Sequence, residues 1–202
     1  MIFNEKGVDY VSQVKMLRER AIQTIHILSQ IGFNAGGWLP ISSRLVYKTF
    51  IRSSMEYGLQ LKLLPKTTLD DLQKVQNLAL RTMFSMGKTT SISAMHRLAQ
   101  IETMQTRNEM LHACFMDKIH TASDRQILTQ RIWDRAYKPS RMKKSLLWQE
   151  GHSNGNNGIT SEMKKKFVKR NIYEYGKDDG KIQNYKNIGA SIQVELNDPR
   201  YS

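Results

Sequence analysis

The chain has 202 residues, 40% of them apolar, with Tyr 8, Phe 6 and Trp 3, which suits one ordinary domain with a tail and excludes two full domains. Lys and Arg number 31 against 18 Asp and Glu, a net charge of +13 that favours nucleic acid or another anionic partner and disfavours a cationic one. A single cysteine, Cys114, excludes an internal disulfide and a Cys-based zinc site and points to an intracellular chain, nuclear or cytoplasmic, while the absence of any long apolar run argues against a membrane span or signal peptide.

Ile2-Phe3 form a short apolar start, followed by a turn over Asn4 to Gly7. Val11, Val14, Leu17, Ala21, Ile25 and Leu28 then recur at spacings of three and four, which predicts a helix stopping near Gly32. Gly36-Gly37 reads as a flexible break, and Pro40 with Ser42 or Ser43 starts a second helix that should reach Tyr57. Thr68-Leu69-Asp70-Asp71 resembles a capping box for a third helix, whose Leu72, Val75, Ala79 and Met83 form a stripe and which should fray at Met86-Gly87. Shorter helices follow over 91–99, around Met104, Leu111, Phe115 and Ile119, and over 123–137, ending before Pro139. Gly151 to Gly158 is rich in Gly and Asn and reads as a linker. The expected organisation is a mainly α, irregular bundle of five or six helices over 1–120 with a short N-terminal strand, a basic helix and linker over 121–150, and a basic C-terminal extension of low order over 151–202.

No catalytic arrangement emerges. The five histidines form no metal-ligand pair, Gly32 to Gly37 lacks the strand–glycine–helix order of a dinucleotide site, and the GKT at Gly87-Lys88-Thr89 lacks the upstream glycine of a phosphate loop. It reads as a helix C-cap. Asp70-Asp71 reads as helix capping and Asp178-Asp179 as a turn, so neither suggests a magnesium site. The cations are better arranged. Arg44, Lys48 and Arg52 fall at i, i+4 and i+8, and Lys74, Asn77 and Arg81 at i, i+3 and i+7, two stripes that could neutralise phosphates while Gln73 and Gln76 add contacts. An ordinary solvated helix face would show the same spacing. Arg125, Arg131, Arg135, Lys138, Arg141, Lys143 and Lys144 are interleaved with Trp133, Tyr137 and Trp148, and Lys164-Lys165-Lys166-Phe167-Val168-Lys169-Arg170 follows. Such mixing suits phosphate contact with base stacking, against a nuclear-import patch or a merely soluble tail.

Leu45-Val46-Tyr47 to Glu56-Tyr57-Gly58, then Leu69-Asp70-Asp71-Leu72-Gln73-Lys74-Val75-Gln76-Asn77-Leu78-Ala79-Leu80-Arg81, then Ser91-Ile92-Ser93-Ala94-Met95-His96-Arg97-Leu98-Ala99-Gln100-Ile101, resemble in order and spacing the region after the polymerase core in reverse transcriptases of non-LTR retrotransposons, the LINE or jockey-like group. The resemblance covers about residues 1–120. It departs at Leu59 to Leu64, where the family often carries a tryptophan. It implies a thumb-like region that grips a template–primer duplex by backbone contacts. The palm, with the carboxylates that hold Mg²⁺, would lie N-terminal to Met1, so the chain itself is expected to carry no cofactor and no polymerase activity alone. The alternative expectation is a helical protein-interaction module that docks on a separately encoded palm domain or another partner.

Overall fold

The computed structural model describes residues 2–4, 7–61, 64–122, 146–153 and 158–175, and the expected helix over 123–137 lies outside them. The fold is mainly α, as the periodicity predicts. Phe3–Asn4 (β1) and Gly7–Val8 (β2) pair antiparallel, Phe3 opposite Val8, as a minimal hairpin. Helix α1, Tyr10–Gln30, follows directly. The Asp9 carboxylate accepts the Val11 and Ser12 N–H groups, two of the donors that a helix start leaves unpaired.

The chain divides into two compact units. The first holds the described residues of Met1–Tyr57, Pro65–Met104 and Ile172–Ser202, the second those of Gly58–Leu64 and Gln105–Asn171. In the first, Val14, Leu17, Ala21 and Ile25 of α1 are buried, as are Leu72, Val75, Ala79, Leu80 and Met83 of α4, Lys66–Phe84, the helix against which α1 packs. Val11, expected on the same stripe, is 71% exposed. The turn after α1 is tight rather than a flexible break. Gly32 has φ +104°, and a Cβ on Gly37 would lie 2.3 Å from the Gly32 carbonyl oxygen, so the two glycines allow backbones to touch beneath the fully buried Phe33.

The second predicted helix is continuous over 40–56 but irregular. It runs as α2, Pro40–Val46, a π-helical segment, Tyr47–Arg52, and α3, Ser53–Glu56. Its fully buried positions are Ser43, Tyr47, Ile51 and Met55, each four apart, with Arg52 buried next to Ile51. A regular α-helix would rotate such a set off one face, whereas the wider i→i+5 turns hold it in line. Phe50 is outside, 60% exposed.

Helix α4 starts at Lys66 behind Pro65, two residues ahead of the expected cap, so Thr68 sits in the first turn and no side chain caps the helix. It ends at Ser85, not at Gly87. Ser85 is left-handed (φ 51°), its N–H reaches the Thr82 carbonyl and that of Met86 reaches Arg81. Helix α5, Ile92–Ala99, is capped by the Ser91 side chain and closes on a left-handed Gln100. Helix α6 spans Met104–Ala122.

In the second unit Met110, Ala113, Leu147, Ile159 and Phe167 form a core. It joins α6 to two helices, α7, Leu146–Ser153, and α8, Ser161–Glu174. Both occupy stretches where the sequence predicts a linker and an extension of low order. The Met163/Phe167 pair at i, i+4, hidden among lysines, supplies the inward face. Asn108 fastens the 59–64 loop: its Oδ1 accepts the Leu64 N–H at 3.0 Å and its Nδ2 donates to the Leu59 carbonyl at 2.8 Å. Leu72 is wholly buried at the centre of α4, so Leu72→Ala should destabilise the chain by about 2–5 kcal/mol, read as a lower urea midpoint with unchanged slope.

Candidate nucleic-acid interface

Ten residues stand nominated by the sequence, of which Arg131, Arg135, Lys138 and Arg141 lie outside the described residues; so do Arg125, Lys143, Lys144, Trp133, Tyr137 and the Asp178-Asp179 turn. The six that are described do not form two solvent-facing stripes. Three are drawn inward.

Arg52 is buried. Its Nε donates to Glu56 Oε1 and its Nη2 to Glu102 Oε1, each at 2.6 Å, with the Glu102 side chain only 5% exposed. Burial pulls the guanidinium pKa down, but Glu102 and Glu56 outweigh it and raise it. Arg44 is half-buried and donates through Nη2 to the Gln100 carbonyl at 3.3 Å. Burial lowers its pKa, with Glu102 pulling the other way.

Asn77 belongs to a second buried group. Gln73 Nε2 lies 2.9 Å from Asn77 Oδ1 and 3.0 Å from His96 Nε2, so its two hydrogens have two acceptors. Gln73 Oε1 accepts the Met104 N–H at 2.9 Å. His96 Nδ1 lies 2.8 Å from the Ile101 carbonyl, an acceptor, which fixes the proton on Nδ1 and leaves Nε2 to accept from Gln73. Gln76 Nε2 donates to the Glu102 carbonyl at 2.7 Å. Three consecutive carbonyls, those of Gln100, Ile101 and Glu102, are thus each taken by a side chain from a different helix: Arg44 of α2, His96 of α5 and Gln76 of α4.

Arg52, Arg44, Asn77, Gln73 and Gln76 therefore hold the fold and cannot serve as phosphate contacts without breaking it. The sequence reading misses His96, Glu56 and Glu102 altogether. The Arg52/Glu56 pair at i, i+4 and the amides at i, i+3 and i+4 beside the α4 stripe were the available signals.

The outward cations are different ones. Lys74 is exposed and pairs with Asp71 at 3.0 Å, a surface contact worth under about 1 kcal/mol that a phosphate can displace. Lys48 and Arg81 are half-buried. Helix α8 shows Lys165, Lys166 and Lys169 exposed, with Arg170 paired to Glu150 at 3.0 Å. Phe167 is buried in the core and Trp148 stacks on His152 at 4.2 Å, so neither presents a free ring for base stacking. Among the described residues no helix is long and apolar enough to cross a membrane, and no group of three or more His, Cys, Asp or Glu side chains is arranged to hold a metal ion.

Comparisons with protein-family models, curated proteins and solved structures give no match to this chain.

Two outcomes follow for the buried network. Glu102→Gln removes one of the two carboxylates on buried Arg52 and leaves it on Glu56 alone, which should cost about 1–3 kcal/mol by denaturant titration. Burial pushes the His96 imidazole below its ordinary 6.5. The unfolded chain then binds the extra proton first, so this contribution is full above 6.5 and is lost as pH falls from there through the folded-state value. Urea midpoints should drop between about pH 7.5 and 5.5, and the drop should shrink in His96→Asn, whose stability is lower throughout.

Proposed function

We propose that this chain is the thumb-like, non-catalytic part of a reverse-transcriptase-like protein and that it holds nucleic acid by backbone phosphates. The observation that carries the reading is the convergence of its three resembling segments. Arg52 and Glu56 come from the first, Gln73, Gln76 and Asn77 from the second, and His96 with the Gln100 and Ile101 carbonyls from the third. Gln73 and Asn77 of the second segment meet His96 of the third, and Arg52 of the first pairs with Glu102 just beyond the third, contacts that support reading the three as one unit. Mg²⁺ and the chemistry of polymerisation belong to a palm domain in this reading, and the role left to this chain is positioning.

The phosphate contacts fall to Lys74, Arg81 and Lys48 on the first unit and to Lys165, Lys166 and Lys169 on the second. Lys74, Lys165, Lys166 and Lys169 are exposed and Lys48 and Arg81 half-buried, on helices that pack their other faces in a core. Contacts of this kind read the backbone without reading bases, and each releases counterions. Binding to an RNA–DNA hybrid or duplex should weaken steeply with salt, the log–log slope being about −0.9 per phosphate contacted. Lys165, Lys166 and Lys169 changed together to Ala should flatten that slope by about 2–3 in a fluorescence-anisotropy titration while leaving the melting temperature unchanged. Salt-insensitive binding, or an unchanged slope in the triple variant, counts against this assignment.

A further inference from the structure

The exposed cations of α8 are not all alike. Lys166, Lys169 and Arg170 are exposed at i, i+3 and i+4, which puts them on one face of the helix. Of these, Arg170 is the one engaged by a carboxylate among the described residues: its Nη1 donates to Glu150 Oε1 of α7 at 3.0 Å. The pair is open to water, its side chains 46% and 41% exposed, and a single hydrogen bond uses one of the five that a guanidinium can donate. Phe167 lies under the group, with the Arg170 Cζ 5.6 Å from the ring centroid, so the fork rests on the buried core of this unit.

A second acid stands close by. Burial pushes the Glu109 carboxyl up, the Leu146 N–H and Arg170 pull it back, and Glu150 adds a further upward push, so the three charges form one cluster. Glu109 has a fixed duty, because its Oε1 accepts the Leu146 N–H at 3.0 Å where α7 begins. Glu150 holds Arg170 and nothing else among the described residues. It is therefore the carboxylate that can let go.

We propose, resting on the reading that α8 meets the nucleic-acid backbone, that Arg170 is a further phosphate contact and that Glu150 withholds it until a phosphate displaces the carboxylate. A backbone lying along Lys166 and Lys169 brings a phosphate to the next position of the same face. There the guanidinium can donate two parallel hydrogen bonds in place of the one it gives Glu150. The pair that must break is exposed and weakened by salt. Glu150 opposes binding twice, by competing for Arg170 and, once released, by repelling the phosphates. Because Arg170 exchanges one anion for another, the parent chain releases no counterion at this position. Without the Glu150 charge it does.

Anisotropy titrations of the full chain against an RNA–DNA hybrid should separate these terms. At about 0.1 M salt Glu150→Gln should tighten binding about three- to tenfold and steepen the log–log salt slope by about 0.9, one phosphate more. Arg170→Ala alone should leave the slope near that of the parent. Glu162→Gln, the same change of charge at an exposed position in the first turn of α8, measures the long-range effect of one carboxylate and should leave the slope unchanged. In Glu150→Gln/Arg170→Ala the extra slope should vanish and the gain in affinity should fall to that of Glu162→Gln. A gain that persists undiminished beside Arg170→Ala, or a slope that Glu150→Gln does not steepen, overturns the proposal. So does a fall of more than about 3 °C in the melting temperature of Glu150→Gln, which would make the pair a tie between helices. A parent chain that leaves the hybrid unbound overturns the phosphate reading and this proposal together, whereas binding without the coupling overturns this proposal alone.

Discussion

Everything in the first unit leans on one buried ion triad. Arg52 stands between Glu56, one turn along its own helix, and Glu102, which follows α5. A guanidinium in that position needs these carboxylates, because a buried charge without a partner is among the costliest defects a core can hold. The geometry must therefore be delivered by everything around it. The π segment turns Arg52 inward, and the left-handed Gln100 swings the chain so that Glu102 faces it. Gln76 and His96 then clamp the backbone on which Glu102 is carried. Specific polar pairing of this kind contributes less to total stability than apolar burial does, but it permits one arrangement of the helices where a greasy core would accept several.

The same clamp accounts for a division of labour among polar residues. The polar groups that hold the 100–102 turn in the first unit's interior are amides, a neutral imidazole and paired ions, each with a donor or acceptor role there. The lysines remain outside, where hydration is cheap and a long stem can cover apolar surface while its ammonium stays in water. Basicity and polar specificity are thus carried by different residues, and net charge says nothing about which is which.

Helix positions were legible in the sequence because periodicity is written at every turn. The α1 stripe of Val14, Leu17, Ala21 and Ile25 and the extent of α5, Ile92–Ala99, appear as the pattern demands. Rotation about a helix axis was legible only while the helix stayed regular. Between Tyr47 and Arg52 the wider turn shifts the phase, so Arg52 of the expected cationic stripe is buried and Phe50 faces out. For Asn77 the reason is different. An amide on the edge of an apolar stripe is hidden when another segment covers it, and that segment is α5, whose His96 lies 3.2 Å from the Asn77 amide oxygen. The α8 lysines failed in the opposite direction, since their density masked the Met163/Phe167 pair that anchors the helix to a core.

The Gly32–Gly37 crossing has a consequence for how this chain can change over time. Backbone meets backbone there at a separation smaller than any methyl group can occupy, and the carbonyl oxygen in the way cannot step aside as a flexible side chain would. No missense codon at position 37 preserves the loop as built. A drifting copy of the gene has many neutral steps open along its lysine-rich surfaces, and at this point in the turn it has none.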